Sequence, residues 1–71
     1  MKHYTFKTNI SSRKTGSLLL KLLPYYYKIA QIQFDIKKGK LVFTITAKNL
    51  STEKVQSTIQ GFGYRCKVMN Q

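Results

Sequence analysis

Tyr4, Phe6, Thr8 and Ile10 alternate with His3, Thr5, Lys7 and Asn9. That period of two predicts a half-buried strand with Tyr4, Phe6 and Ile10 turned inward. Ser11 to Ser17 follows as a polar, small-residue stretch offering several hydroxyls that can cap a helix, so it reads as a loop leading into one. From about Ser17 to Tyr27, Leu19, Leu22, Leu23 and Tyr26 fall on one helical face, with Lys21 and Lys28 on the other. Leu18, Leu20, Tyr25 and Tyr27 widen the apolar arc beyond what one core requires. Pro24 cannot donate to the carbonyl of Leu20 and its ring crowds that turn, so the helix is expected to bend there or finish within a turn.

Ile32, Phe34 and Ile36 alternate with Gln31, Gln33 and Asp35, and Leu41, Phe43 and Ile45 alternate with Val42, Thr44 and Thr46. The connecting Lys37-Lys38-Gly39-Lys40 makes the pair a hairpin. Asn49 to Thr52 bring turn and cap chemistry, with Ser51 the best cap and Glu53 in a first helical turn, where the helix dipole favours an anion. Val55, Ile59 and Phe62 carry the next helical stripe. Gly61 and Gly63 are expected to end it, and Tyr64, Cys66 and Val68 alternate with Arg65, Lys67 and Met69 as a last strand.

The order is strand, helix, strand, strand, helix, strand, which predicts an α+β, ferredoxin-like βαββαβ sandwich with both helices on one face of a four-stranded antiparallel sheet. The other face, open to solvent, then carries His3, Thr5, Lys7, Gln31, Gln33, Asp35, Val42, Thr44, Thr46, Arg65 and Lys67.

Residues Phe6-Lys7-Thr8-Asn9-Ile10, the small polar loop after them, Asp35, Lys38-Gly39-Lys40-Leu41, Leu50-Ser51 and Gly63-Tyr64 resemble, in order and spacing, the heavy-metal-associated, copper-chaperone-like family. The likeness runs from about Lys2 to Arg65. That family grips soft ions with a Met-x-Cys-x-x-Cys motif at the loop and first helical turn. Carried over by position, the resemblance puts Ile10 in place of the methionine, Ser12 and Thr15 in place of the cysteines, and Tyr64 in place of an aromatic that shields the metal loop. Serine and threonine hydroxyls are hard, neutral donors, whereas cuprous ion selects thiolate. The metal-binding chemistry is therefore not expected here, and no metal or other cofactor is expected.

Length confines the chain to one domain, residues 1–71, with one core. A chain this small removes only roughly 60% of its unfolded surface on folding, so stability is marginal without a staple or an oligomer. A single cysteine, Cys66, excludes an internal disulfide. The apolar run from Leu18 to Tyr27 is interrupted by Lys21 and Pro24 and is too short to span a bilayer, and the first residues, interrupted by Lys2, His3 and Lys7, are not expected to act as a secretory signal. A reducing, cytoplasmic setting is expected.

Thirteen Lys and Arg stand against Asp35 and Glu53, a formal charge of +11 that favours acidic partners, anionic membranes or nucleic acid. Arg13 and Lys14, with Ser12, Thr15, Gly16 and the first-turn amides, are a candidate anion site at a helix start. Their alternative is two side chains splayed into water. Lys37, Lys38 and Lys40 at the hairpin tip read as a solvated turn, and with Lys7, Arg65 and Lys67 as a basic surface. Phe6 and Phe43 share the inward parity, so the exposed aromatic platform on which RNA readers of this topology stack bases is missing.

Cys66 reads as a small core hydrophobe and His3 as a solvated strand residue, and together they are too few for a closed zinc site. Two carboxylates far apart, one histidine and one inward cysteine supply no acid, base and nucleophile set, so no catalysis is expected. Leu18, Tyr25 and Tyr27 are expected to be partly exposed on the first helix, with Leu18 and Tyr25 the candidate partner surface; the alternative is that a bend at Pro24 folds the tyrosines back onto the core. The expected function is that of a non-catalytic binding domain acting through a protein partner or homo-oligomer. The alternative is a basic phosphate- or nucleic-acid-binding module that takes nucleic acid nonspecifically, and residual metal binding is the remaining reading.

Overall fold

A computed structural model describes residues 1–69. Its elements are strand β1 (Lys2–Thr8), helix α1 (Arg13–Tyr26), strands β2 (Gln31–Lys37) and β3 (Lys40–Ala47), helix α2 (Thr52–Gly61) and strand β4 (Cys66–Val68). The strands form one antiparallel sheet in the order β2-β3-β1-β4. The fold is thus α+β, with two helices on a four-stranded antiparallel sheet.

The alternation of each strand becomes rows across the sheet. On the inner face Phe34, Phe43, Phe6 and Val68 are successive cross-strand partners, and the Phe6 and Phe43 rings stack with centroids 4.9 Å apart. Such aromatic pairing adds about 0.5–1.5 kcal/mol beyond the area buried. Leu19, Leu20 and Leu23 of α1 and Val55 and Ile59 of α2 cover the same rows, so both helices lie on one face. Their polar sides remain in water, as a layered domain with one core requires.

Thr8 is buried, yet both functions of its hydroxyl are used. Its Oγ1 donates to the Leu41 carbonyl at 3.0 Å and accepts from the Ile10 amide at 3.1 Å. The Leu41 amide in turn donates to the Ile10 carbonyl at 2.7 Å, tying the chain after β1 to the start of β3. Ile10, beyond the end of β1, is buried as expected. A buried hydroxyl without partners is costly, and this one is satisfied on both sides.

Helix α1 begins earlier than the hydroxyl-rich stretch suggests. Ser12 is its N-cap, with Oγ accepting from the Thr15 amide at 3.2 Å, so the expected loop from Ser11 to Ser17 is mostly helix. Gly16, a helix breaker by propensity, is buried inside the first turns because the helix passes close to Leu41 there. That approach sets the rotation of α1. Gly16, Leu19, Leu20 and Leu23 face the core, while Tyr26, expected inward, is 67% exposed, and Leu22 is half-buried. The helix ends at Tyr26, two residues past Pro24, within the turn expected.

Of the three consecutive tyrosines only Tyr27 returns to the core. Its hydroxyl donates to the Lys54 carbonyl and pairs with Thr58 Oγ1, fastening the end of α1 to α2. Helix α2 is capped by Ser51, whose Oγ accepts from the Lys54 amide, and carries Glu53 in its first turn. Phe62, expected in the buried stripe, is the C-cap and 49% exposed, because the helix stops at Gly61. Gly63, at φ +93°, turns the chain toward β4. Strand β4 is shorter than expected, and Tyr64 lies before it, half-buried against the core.

Candidate functional site

The residues expected at the positions of the metal motif are engaged in the scaffold. Ile10 is buried, Ser12 Oγ is occupied as the helix cap, Thr15 lies in the first turn of α1, and Tyr64 packs on the core. Among the described residues no group of three or more His, Cys, Asp or Glu stands close enough to hold a metal ion. Cys66 is a buried free thiol, and burial pushes its pKa up to about 12, so it is neutral at physiological pH and a poor ligand.

The candidate anion loop is likewise engaged. Arg13 does not splay into water. Its Nη2 donates to Asp35 Oδ1 at 3.0 Å, and its guanidinium carbon lies 5.7 Å from the centre of the Phe34 ring. Asp35 Oδ1 also accepts from the Ile36 amide at 2.8 Å. The two side chains are each 62% exposed, so the pair contributes less than about 1 kcal/mol. Its effect is to tie the first residue of α1 to β2. Gly16, the fifth member of the expected site, serves close packing. Lys14 is exposed to solvent.

The expected partner residues are exposed. Leu18 is 57% and Tyr25 84% exposed, and helical spacing places Leu22 and Tyr26 beside them on the outer face of α1. Lys14 and Lys21 flank this stripe. Toward β2 it borders an open apolar groove of about 310 Å³ lined by Leu20, Pro24, Ile29, Ile32 and Phe34. The outer surface of α1 and this groove together expose Leu18, Tyr25 and Tyr26 beside an apolar recess. The sequence marked Leu18 and Tyr25 but not the groove, which depends on how α1 lies along β2.

Among the described residues the open sheet face carries no Phe or Tyr, and its one aromatic ring is the His3 imidazole. His3 Nδ1 and Thr46 Oγ1 lie 2.9 Å apart and the hydroxyls of Thr5 and Thr44 3.1 Å apart, across the central strands β1 and β3. Lys7 and Lys67 are direct cross-strand partners, and Lys37 pairs with Lys40 at the hairpin end. Asn9 holds Arg65 through two hydrogen bonds, the Arg65 amide donating to Asn9 Oδ1 at 2.8 Å and the Asn9 amide donating to the Arg65 carbonyl. This clamp joins positions far apart in the chain and has no local sequence signal.

Compared with protein-family models, curated proteins and solved structures, the chain matches none. Among the described residues no helix is long and apolar enough to cross a membrane.

Proposed function

We propose that this chain is a non-catalytic binding domain that associates through the outer face of α1, with a second copy of itself as the occupant. The carrying observation is the exposed pair Leu18 and Tyr25, with half-buried Leu22 between them on the same helical face. Such a row on a small domain is an unburied helical face rather than a scatter of single apolar residues. Two such helices laid antiparallel are self-complementary, with Leu18 of one against Leu22 of the other and Lys14 over the ring of Tyr25. A helix of 14 residues is about 21 Å long, which limits the contact to the small, transient class of interfaces.

The scaffold is read as the ferredoxin-like βαββαβ plan, with β1 and β3 central, and as a heavy-metal-associated module that has lost its soft donors. Element order and the positions of Ile10, Ser12, Thr15 and Tyr64 support that reading. A free, buried Cys66 suits a reducing, cytoplasmic compartment.

Sedimentation equilibrium tests the association. The parent is expected to dimerise weakly, and more tightly as salt rises, because two copies each carrying +11 repel until screened. Leu18→Asp or Tyr25→Asp is expected to give a monomer with an unchanged circular dichroism spectrum. A parent that stays monomeric up to roughly 1 mM, where even binding worth about −4 kcal/mol would be visible, would sink the proposal.

A further inference from the structure

We infer that the end of the sheet at β4 is a binding site for the phosphodiester backbone of nucleic acid, used without base readout. A groove of about 570 Å³ opens there, and Lys7, Lys40, Arg65 and Lys67 line it together with Asn9 and Gln60. Three separate segments deliver the four cations: the end of β1, the start of β3, and the stretch through β4. No carboxylate lines the groove. Of the chain's two acids, Asp35 is paired with Arg13 and Glu53 sits in the first turn of α2.

The charges are also placed against the interest of the fold. Lys7 and Lys67 are directly opposite in an antiparallel pair, an arrangement that destabilises a sheet when nothing lies between the charges. A bound anion turns that repulsion into a bidentate attraction. Arg65 is held in register by its two hydrogen bonds to Asn9, so its planar fork of donors is offered from a fixed backbone. Carboxamides of Asn9 and Gln60 add neutral polar groups of the kind that contact phosphate oxygens.

The surroundings choose among polyanions. The groove is concave and no exposed apolar side chain lines it, which does not suit the planar, partly apolar surface of a bilayer. The adjoining open face is rich in Thr and Gln and among the described residues carries no Phe or Tyr, its one aromatic ring being the His3 imidazole held beside Thr46, so it offers bases no stacking platform. Recognition is therefore by charge along the strand, independent of sequence. The site shares no residue with the outer face of α1, so the two readings stand or fall separately.

Binding of a labelled single-stranded oligothymidylate of roughly 20 nucleotides, followed by anisotropy across a salt series, tests the assignment. Two variants remove the same charge: Lys7→Gln, Lys40→Gln, Arg65→Gln, Lys67→Gln in the groove, and Lys21→Gln, Lys28→Gln, Lys48→Gln, Lys54→Gln elsewhere. All eight positions are exposed, and circular dichroism verifies that each variant is folded. If the fourfold groove variant is unfolded, Lys7→Gln and Lys67→Gln are compared singly with Lys21→Gln and Lys28→Gln. The groove changes are expected to weaken binding at least about tenfold more than the matched changes and to flatten the salt slope by up to ~0.7 per charge removed. Equal weakening by both sets would overturn the site, since net charge alone would then explain binding. The occupant would be overturned by groove-dependent binding that is tighter to phosphatidylserine vesicles or polyglutamate than to the oligonucleotide. A strong preference for one base sequence would overturn the claim that bases go unread.

Discussion

Gly16 and Leu41 touch so closely that a Cβ built on the glycine would stand 2.7 Å from Leu41 Cδ2 and 3.0 Å from Cδ1. Leu41 is fully buried, so its methyls can yield to a Cβ only by displacing core neighbours. Gly16→Ala gains about 1 kcal/mol of helix propensity but overpacks the core by about 1–3 kcal/mol, so net destabilisation is expected. Denaturant titration of Gly16→Ala in the parent and in a Leu41→Ala background separates the two effects. The alanine is expected to become favourable in the second background. A penalty that persists there would mean that the contact is not its source.

Burial of Cys66 makes stability fall at alkaline pH. Below its ordinary pKa of 9.0 both folded and unfolded thiols keep the proton, and no dependence arises. Above it the unfolded thiol ionises while the folded one does not until pH reaches about 12, so stability drops as pH rises through that window. The expected slope is up to about 1.4 kcal/mol per pH unit. Subtracting the profile of Cys66→Ala isolates this contribution from the lysines and tyrosines. Parallel profiles for the two proteins would contradict it.

No thiol stands at Ser12 or Thr15, and the backbone there has the geometry of a helix start. Ser12→Cys with Thr15→Cys is expected to bind one cuprous ion under reducing conditions, whereas the parent is not. Competition with a chromogenic chelator gives the readout. Failure of the double variant to bind, with the fold intact, would count against the likeness to the metal-binding family. Submicromolar binding by the parent would show that hydroxyls or other groups suffice.

Lys38 holds φ +52° and Gly39 φ +76°, both left-handed, in the two-residue connection between Lys37 and Lys40. Only the first carries a side chain penalised there. Lys38→Asn is expected to raise stability by about 0.5–1 kcal/mol, seen as a higher denaturation midpoint at an unchanged m-value. A lower midpoint would mean that the lysine has contacts worth more than its strain.

Strand faces were legible because parity is a local property. The inward row of Phe34, Phe43 and Phe6 follows from alternation alone, whichever strands become neighbours. Helix faces were less so. With apolar residues from Leu18 to Leu20 and at Leu22 and Leu23, several rotations of α1 fit the sequence, and only the Gly16 approach to Leu41 selects one that exposes Tyr26. The start of α1 was obscured by competing hydroxyls at Ser11, Ser12, Thr15 and Ser17. Least visible were the Arg13–Asp35 pair and the Asn9–Arg65 clamp, since each depends on which segments the sheet order brings together.

The tight turn at Lys38–Gly39 also bears on how the chain reaches its native state. It makes β2 and β3 the strands that can pair without closing a long loop, whereas joining β1 to β3 brings Lys2 beside Ala47 with all of α1 looped between them. Hairpins form in microseconds, and pairings between distant segments wait on chain diffusion and loop entropy. The β2–β3 hairpin is thus the natural nucleus, a template onto which β1 docks with its phenylalanine row. Because its lining comes from β1, β3 and the stretch through β4, the basic groove is complete only once β4 has paired with β1.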